Sequence, residues 1–219
     1  MANANVNFAG ELNVRRISSN LANYEAARNA FFTLDVDFTV YQGPNEGKVN
    51  LLKPDYTGDP AKATETDYIV KPGELLRLNV TKAPVPHFSI GTEEFRRGND
   101  VVKFATVPTW DGGSIEVDDL VGVRTKDILL AWQYLAYNPN TRLGGRMADY
   151  KKTCTLIEYT QDYEPIRTWT LEGCFITKLS EGEFDRENDG KRKITAEISY
   201  DRATVVNNYE STDYESLFK

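Results

Sequence analysis

Three runs between residues 151 and 200 alternate small or polar side chains with larger apolar ones. A period of two fits a strand that buries one face and wets the other. The first run, KKTCTLIEYT (151–160), and the second, IRTWTLEGCFITKLS (166–180), flank QDYEP (161–165). That composition suits a tight reversal, so the two runs read as an antiparallel hairpin. The third, KITAEISYDRA (193–203), is the most regular. Ile194, Ala196, Ile198 and Tyr200 share one face, and Thr195, Glu197 and Ser199 share the other. A sheet made from these runs has one apolar face that something must cover.

Further strands follow from the same pattern. In 31–41, Phe32, Leu34, Val36, Phe38 and Val40 point one way, while Thr33, Asp35, Asp37 and Thr39 point the other. Residues 75–80 read as a strand ended by Pro84 and Pro86. Two more, 88–95 and 101–106, enclose the turn RRGND, and 114–121 follows the reversal at Asp111–Gly113. The clearest helix is 125–137, with Thr125 as its N-cap and Ile128, Leu129, Trp132, Leu135 and Ala136 as its apolar stripe. NPNTRLGG (138–145) breaks it.

Around this frame lie an Asn-rich arm (1–19), a short helix over 20–30 capped by Asn20, and a long insertion (42–73) built from GPNEGK, KPDYTGDP and KPGE. The sum, about seven or eight strands with one well-defined helix, is mainly β: a sandwich or barrel with a flanking helix. The division expected is 1–30 as arm and short helix, 31–203 as the β domain with its 42–73 insertion, and 204–219 as a polar tail.

Composition narrows the function. Lys and Arg total 26 against 33 Asp and Glu, a net charge of -7 with a pI near 4.9. A protein that grips nucleic acid through its phosphates needs clustered cations instead. The 12 tyrosines and 10 phenylalanines favour strands. With the turn near Asp162–Tyr163, Cys154 falls opposite Leu171–Glu172 and not Cys174. That register disfavours a disulfide, and two structural free thiols suit a reducing compartment. No basic leader with an apolar core opens the sequence, and no apolar run reaches the ~20 residues that span a bilayer. A chain kept in the cytosol, or packed into something assembled there, is expected, with no membrane insertion.

Chemistry is scarce. His87, the one histidine, sits among prolines and reads as a turn residue; with no CxxC there is no transition-metal site. Asp118 and Asp119 are adjacent on a strand and point apart, so they make no carboxylate pair. Asp35 and Asp37 share a face but read as a solvated edge. Gly112–Gly113 and Gly144–Gly145 are turns, not phosphate loops. EFDRENDG (183–190) lacks the twelfth-position acid and flanking helices of a calcium loop. No catalytic, cofactor-binding or metal-binding residue is nominated, and no cofactor is expected.

One arrangement is distinctive. SIEVDD (114–119) leads into DILLAWQYL (127–135). A Gly-Gly turn follows, then ADYKKTCTLIEYTQDYEP (148–165), TWTLEGCFITKLSEGEFD (168–185) and ITAEISYDRA (194–203). This order, with the local patterns DYKK, LEGCF and EISYD, resembles the tail tube proteins of contractile-tailed bacteriophages over 86–203. The resemblance implies a structural virion protein, not an enzyme: a subunit of hexameric rings that stack into a tube, assembled in the host cytoplasm. Its implied partners are further copies of itself, a tail sheath protein, a tape measure protein and baseplate or terminator proteins, with DNA in transient passage.

A negative lumen would let DNA pass without sticking. Glu116, Asp118, Glu172 and Glu197 are the candidate lumen or inter-subunit acids, and surface solubility explains each equally well. The 42–73 insertion is expected to order against an adjacent ring or subunit. Three alternatives stand beside this reading. One is the tube of a bacterial contractile injection or type VI secretion apparatus, and another a baseplate or tail-completion ring. The third is a carbohydrate-binding β-sandwich using Trp110, Trp132 and Trp169.

Overall fold

The frame of the protein is one seven-stranded sheet in the order β1-β8-β9-β10-β5-β2, with β11 also paired to β9. It is seen in a computed structural model that describes residues 30–38, 51–58, 62–120, 122, 124–182 and 190–207. The 1–19 arm, all but Ala30 of the 20–30 helix, most of the EFDRENDG loop, and residues 39–50, 59–61 and 208–219 lie outside the described residues.

The elements run β1 (Phe32–Asp37), α1 (Pro72–Asn79), β2 (Val80–Lys82), β3 (His87–Arg97), β4 (Asp100–Asp111), β5 (Gly113–Asp118) and α2 (Thr125–Ala136). Then come β6 (Tyr137–Asn138), β7 (Leu143–Gly144), α3 (Met147–Tyr150), β8 (Lys152–Tyr159), β9 (Pro165–Ser180), β10 (Lys193–Ser199) and β11 (Arg202–Asn207). The fold is mainly β with few helices, as the alternating runs predict.

The expected β8–β9 hairpin forms, with Thr155 across from Thr170 and Leu156 across from Trp169. Its reversal is closed by the Thr160 amide donating to the Glu164 carbonyl at 2.9 Å, and Tyr163 takes a left-handed φ of 62°. The apolar faces go inward as patterned. Leu34, Val36 and Phe38 of the first strand region and Ile194, Ala196 and Ile198 of β10 are all buried, against Ile115 and Val117 of β5. α2 lies across this core: Ile128, Leu129 and Trp132 are fully buried, and Leu135 is half-buried against the same cluster.

Strand β9 is long because it serves two partners on the same side of the chain's path. Residues Arg167–Glu172 pair with β11, and Phe175–Ser180 pair with β10. Gly173 sits at the change of partner with φ +73°. A Cβ there would stand 2.3 Å from Asp201 Oδ2. Asp201 in turn marks the break between β10 and β11; its amide donates to Glu172 O at 2.9 Å and its carboxylate accepts from Lys151 Nζ at 2.6 Å. The 193–203 run is therefore not one strand. It stops at Ser199, turns through Tyr200 and Asp201, and resumes as β11 to Asn207. Gly173→Ala must strain the backbone and displace Asp201, so a loss of about 1–3 kcal/mol is expected. Thermal unfolding of the purified variant checks this; an unchanged Tm would mean the bend tolerates a side chain.

Other local expectations are corrected. Residues 75–79 form the end of a helix, not a strand, and Val80 opens β2. Pro72 opens α1 at a position where its missing N–H costs nothing, and Leu76 and Asn79 are buried three residues apart while Leu78 is 77% exposed. The cap of α2 is Arg124, in a left-handed conformation (φ 55°) with no side-chain capping bond. Thr125 is inside the helix and fully buried, where its Oγ1 accepts from Asn79 Nδ2 at 3.0 Å. Asn79 Nδ2 also reaches the Leu75 carbonyl at 2.9 Å, so one amide fastens both helices. The 138–145 break holds the small β6–β7 ladder.

The described part of the 42–73 insertion packs on its own domain. Leu51 is wholly buried in the core, Ile69 N–H donates to Leu51 O at 2.8 Å, and Lys53 N–H donates to Asp67 O at 2.9 Å. Leu51 thus finds its cover within the chain.

Candidate assembly surface

The hairpin β3–β4 is the largest feature that the core does not explain. Its strands pair only with each other among the described residues, from His87↔Asp111 at the base to Arg97↔Asp100 at the tip. The base is anchored: Trp110 stacks near Phe88 (centroids 5.0 Å apart) and Tyr200 (6.1 Å). Beyond the base it stands in solvent. In the distal half, Phe95 faces Val102 and Glu93 faces Phe104, which puts Phe95, Val102 and Phe104 on one side. The opposite side carries Arg96 and the Glu94–Lys103 pair at 3.3 Å. Phe95 is 58% exposed and Phe104 55%. Phe95, Val102 and Phe104 thus form an apolar patch without cover, on a side that also carries Glu93, Arg97 and Asp100, while Val101 is exposed on the other.

A two-stranded ribbon is marginal alone, and its open edges invite pairing. The sequence shows both strands but not their standing clear of the sheet. The signal available was VVKFATV, where apolar residues occupy both faces of a strand that a single core cannot satisfy.

The four nominated acids divide into three and one. Glu116 and Asp118 on β5 share the wet face with Glu197 on β10, since Thr195 lies across from Glu116 and Glu197 across from Ser114. Glu172 lies past the bend of β9, beside Arg202 at 2.7 Å. Each acid has a cation from a neighbouring segment. Glu116 meets Lys82 at 3.2 Å and Lys193 at 3.7 Å, Glu197 meets Lys178 at 3.2 Å, and Asp118 meets Lys191 at 3.9 Å. The hydrogen bond and charge of Lys82, with help from Lys193, hold the Glu116 carboxyl below its usual range. The wet face of β2–β5–β10–β9 is thus a set of cross-strand ion pairs, not a bare acidic field.

A second network, unforeseen from sequence, joins Arg192 to Asp119 (3.5 Å) and Glu181 (2.7 Å), and Glu181 to Lys126 of α2 (2.6 Å). In the insertion, Thr64 donates its hydroxyl and amide to Asp67, which keeps that carboxyl below its usual range. Lys152 is buried on β8, and burial pulls its ammonium below the ordinary lysine range against the opposing charges of Asp149 and Asp37.

The tryptophans do not form a shared platform. Trp132 is in the core with its Nε1 donating to Tyr150 O at 3.0 Å, Trp110 packs at the hairpin base, and Trp169 Nε1 donates to Glu158 at 3.2 Å. His87 is exposed at the same base, 3.7 Å from Asp111. Among the described residues no three His, Cys, Asp or Glu side chains gather as metal ligands, and no helix is long and apolar enough to cross a membrane.

No family model matches the chain, and no curated protein does. Solved structures do. One similar chain comes from the six-fold-symmetrised baseplate of the anti-feeding prophage; it has 11% identity, a TM-score of 0.52, and coverage of 84% of this chain and 97% of that one. Another comes from the sheath/tube terminator of the PVC extracellular contractile injection system in its extended state, with 16% identity, a TM-score of 0.51, and coverage of 83% and 97%. At such identities the likeness is one of fold, and it spans nearly the whole of each known chain. The mainly β fold with its flanking helix is one that contractile injection particles also contain.

Proposed function

We propose that this chain is the structural protomer of the inner tube of a contractile tail, forming hexameric rings that stack within a sheath. A bacteriophage tail, with the tube as conduit for the genome, is the setting read from the sequence. Sheath, tape measure, baseplate and terminator proteins are the proposed partners. The observation that carries this reading is the uncovered apolar side of the β3–β4 hairpin. A protomer with such an arm is completed by contact with its own copies, and a heterologous contact that closes a rotation gives a ring. The similarity of fold to a baseplate chain supports the same reading.

Glu116, Asp118, Glu172 and Glu197 are the acids proposed to face a lumen or a neighbouring subunit, Glu172 lying next to the Gly173 bend of β9. Their lysine and arginine partners temper the repulsion that they would exert on DNA. A second reading is favoured by the likeness to a sheath/tube terminator chain. On it, the protein serves an extracellular injection apparatus, or builds a single ring at the end or base of a tube.

Negative-stain microscopy of the concentrated protein tests both. Hollow filaments of uniform bore are expected. Isolated rings that never elongate would favour the second reading, and a protein that stays monomeric at high concentration would overturn both.

A further inference from the structure

The β3–β4 hairpin continues the β2–β5 pair. β2 ends at Lys82 and β3 starts at His87, while β4 ends at Asp111 and β5 starts at Gly113, which lies against Pro84. The hairpin therefore leaves the sheet at the Gly113 end of β5. β3 is exposed along its whole length of 11 residues, a reach of roughly 36 Å at ~3.3 Å each. At the other end of β5 the Asp119 amide donates to Arg192 O at 3.0 Å, and the chain enters α2 through Arg124. α1 is at that end too, because it runs into β2 at Val80, across from Val117.

Between the 42–73 insertion, α1 and the start of α2 the described residues leave a cleft of about 340 Å³. Tyr68, Ile69, Val70 and Leu75 give it an apolar lining beside Lys53 and Arg124, and Val70 is 71% exposed. Arg124 is paired with Asp127. Lys53 donates to the Thr66 carbonyl, and the counter-charge it feels, Asp67, stands beyond ion-pair contact. The distal hairpin is the counterpart. Phe95 and Phe104 pack edge to face there, with centroids 6.5 Å apart. Glu93, across from Phe104, forms no ion pair among the described residues, whereas Arg97 faces Asp100 at the tip. The spare charge beside the aromatic pair is thus negative, and the spare charge at the cleft is positive.

We propose that this cleft seats the distal half of the β3–β4 hairpin of a second copy, with Phe95 and Phe104 against its apolar lining and Glu93 toward Lys53. An aromatic anchor in an apolar pocket, with a charge pair beside it, is the form that strong contacts take. The chain's own hairpin cannot fill the site, because base and cleft lie at opposite ends of β5 and the tip lies farther off still. The inference rests on the reading that copies of this chain assemble, and it assigns one contact of that assembly. Hairpin to cleft joins unlike surfaces, so the contact repeats head to tail and gives the assembly a direction.

The test uses the full chain carrying Val70→Cys and Phe95→Cys. Both positions are exposed, and the native thiols Cys154 and Cys174 are free and buried. Treated with a short bismaleimide, the double variant should give a ladder of cross-linked multimers on a denaturing gel, with peptide masses joining position 70 of one chain to position 95 of another. Neither single variant should give a ladder. Separately, Lys53→Glu sets a carboxylate against Glu93 and should weaken association roughly 100-fold in sedimentation velocity, and adding Glu93→Lys should restore it. Far-UV circular dichroism reads the fold, and the cross-link decides the matter even if Lys53→Glu fails to fold. Rings or tubes formed without a 70–95 cross-link would overturn this proposal and leave the assembly reading standing. A parent protein that stays monomeric at high concentration would overturn both.

Discussion

Val102→Glu combined with Phe104→Glu is expected to yield a folded protomer that no longer makes rings or tubes. Both side chains lie on the uncovered side of the β3–β4 hairpin, opposite Phe95 and Glu93. In the isolated protomer they are largely solvated, at 42% and 55% exposure, so the fold should not notice two carboxylates. In an interface each would be desolvated on a face whose distal half carries Arg97, itself across from Asp100 at the tip. The Glu94–Lys103 pair is on the other side. An unpaired buried charge costs several kcal/mol, and each ~1.4 kcal/mol is a factor of ten in affinity. Every contact in a ring would carry the same penalty, so closure should fail outright. Sedimentation velocity and negative staining read the assembly, and far-UV circular dichroism reads the fold. Tubes formed at the parent's yield by the doubly charged variant would remove the hairpin from the interface.

The second large effect lies in the core. Trp132→Ala should cost about 3–5 kcal/mol, in line with large aromatic truncations. The ring is fully buried, meets Phe38 edge to face at 5.4 Å, and donates to the carbonyl of Tyr150 at the end of α3. Truncation opens a cavity under α2 and strands that carbonyl. Trp132→Phe separates the two contributions, because it keeps most of the apolar volume and loses only the donor. It should cost about 1–3 kcal/mol. Chemical denaturation of both variants gives the comparison. Equal losses would mean that the lost donor, not the cavity, sets the cost, and no loss in Trp132→Phe would mean that the hydrogen bond does not matter.

Much of the sheet was legible because its residues obey a period of two over long stretches. In β10 Ile194, Ala196 and Ile198 are buried and Glu197 is exposed, and β1 shows the same with Leu34 and Val36 against Asp35 and Asp37. What failed to show were features set by partners distant in sequence. α1 was misread because Leu76 and Leu78 mimic alternation, while the deciding fact is Asn79 reaching Thr125 across the core. Pro72 at the first turn is the local signal of that helix start. The split of 193–203 depends on Asp201 meeting Gly173 and Lys151, which no local pattern encodes.

The assembly surface was half legible. Both hairpin strands were read, but a period does not say whether its apolar face meets a core. Glu116, Asp118 and Glu197 share one face of their strands. Their lysines come from neighbouring segments, so charge compensation was invisible in a tally of net charge. The slip between Lys152 and Cys154 in the β8–β9 pairing leaves no trace in alternation.

Strand β9 borders β8 and β11 along its first half and β10 along its second, with no loop between the halves. Neither half of the sheet can melt alone without dragging on a backbone that the other half is still holding. Amide protons of β8 and of β10 should therefore exchange with deuterium in one concerted opening, at nearly the same free energy. A body loaded from several sides would then yield as a single piece or not at all.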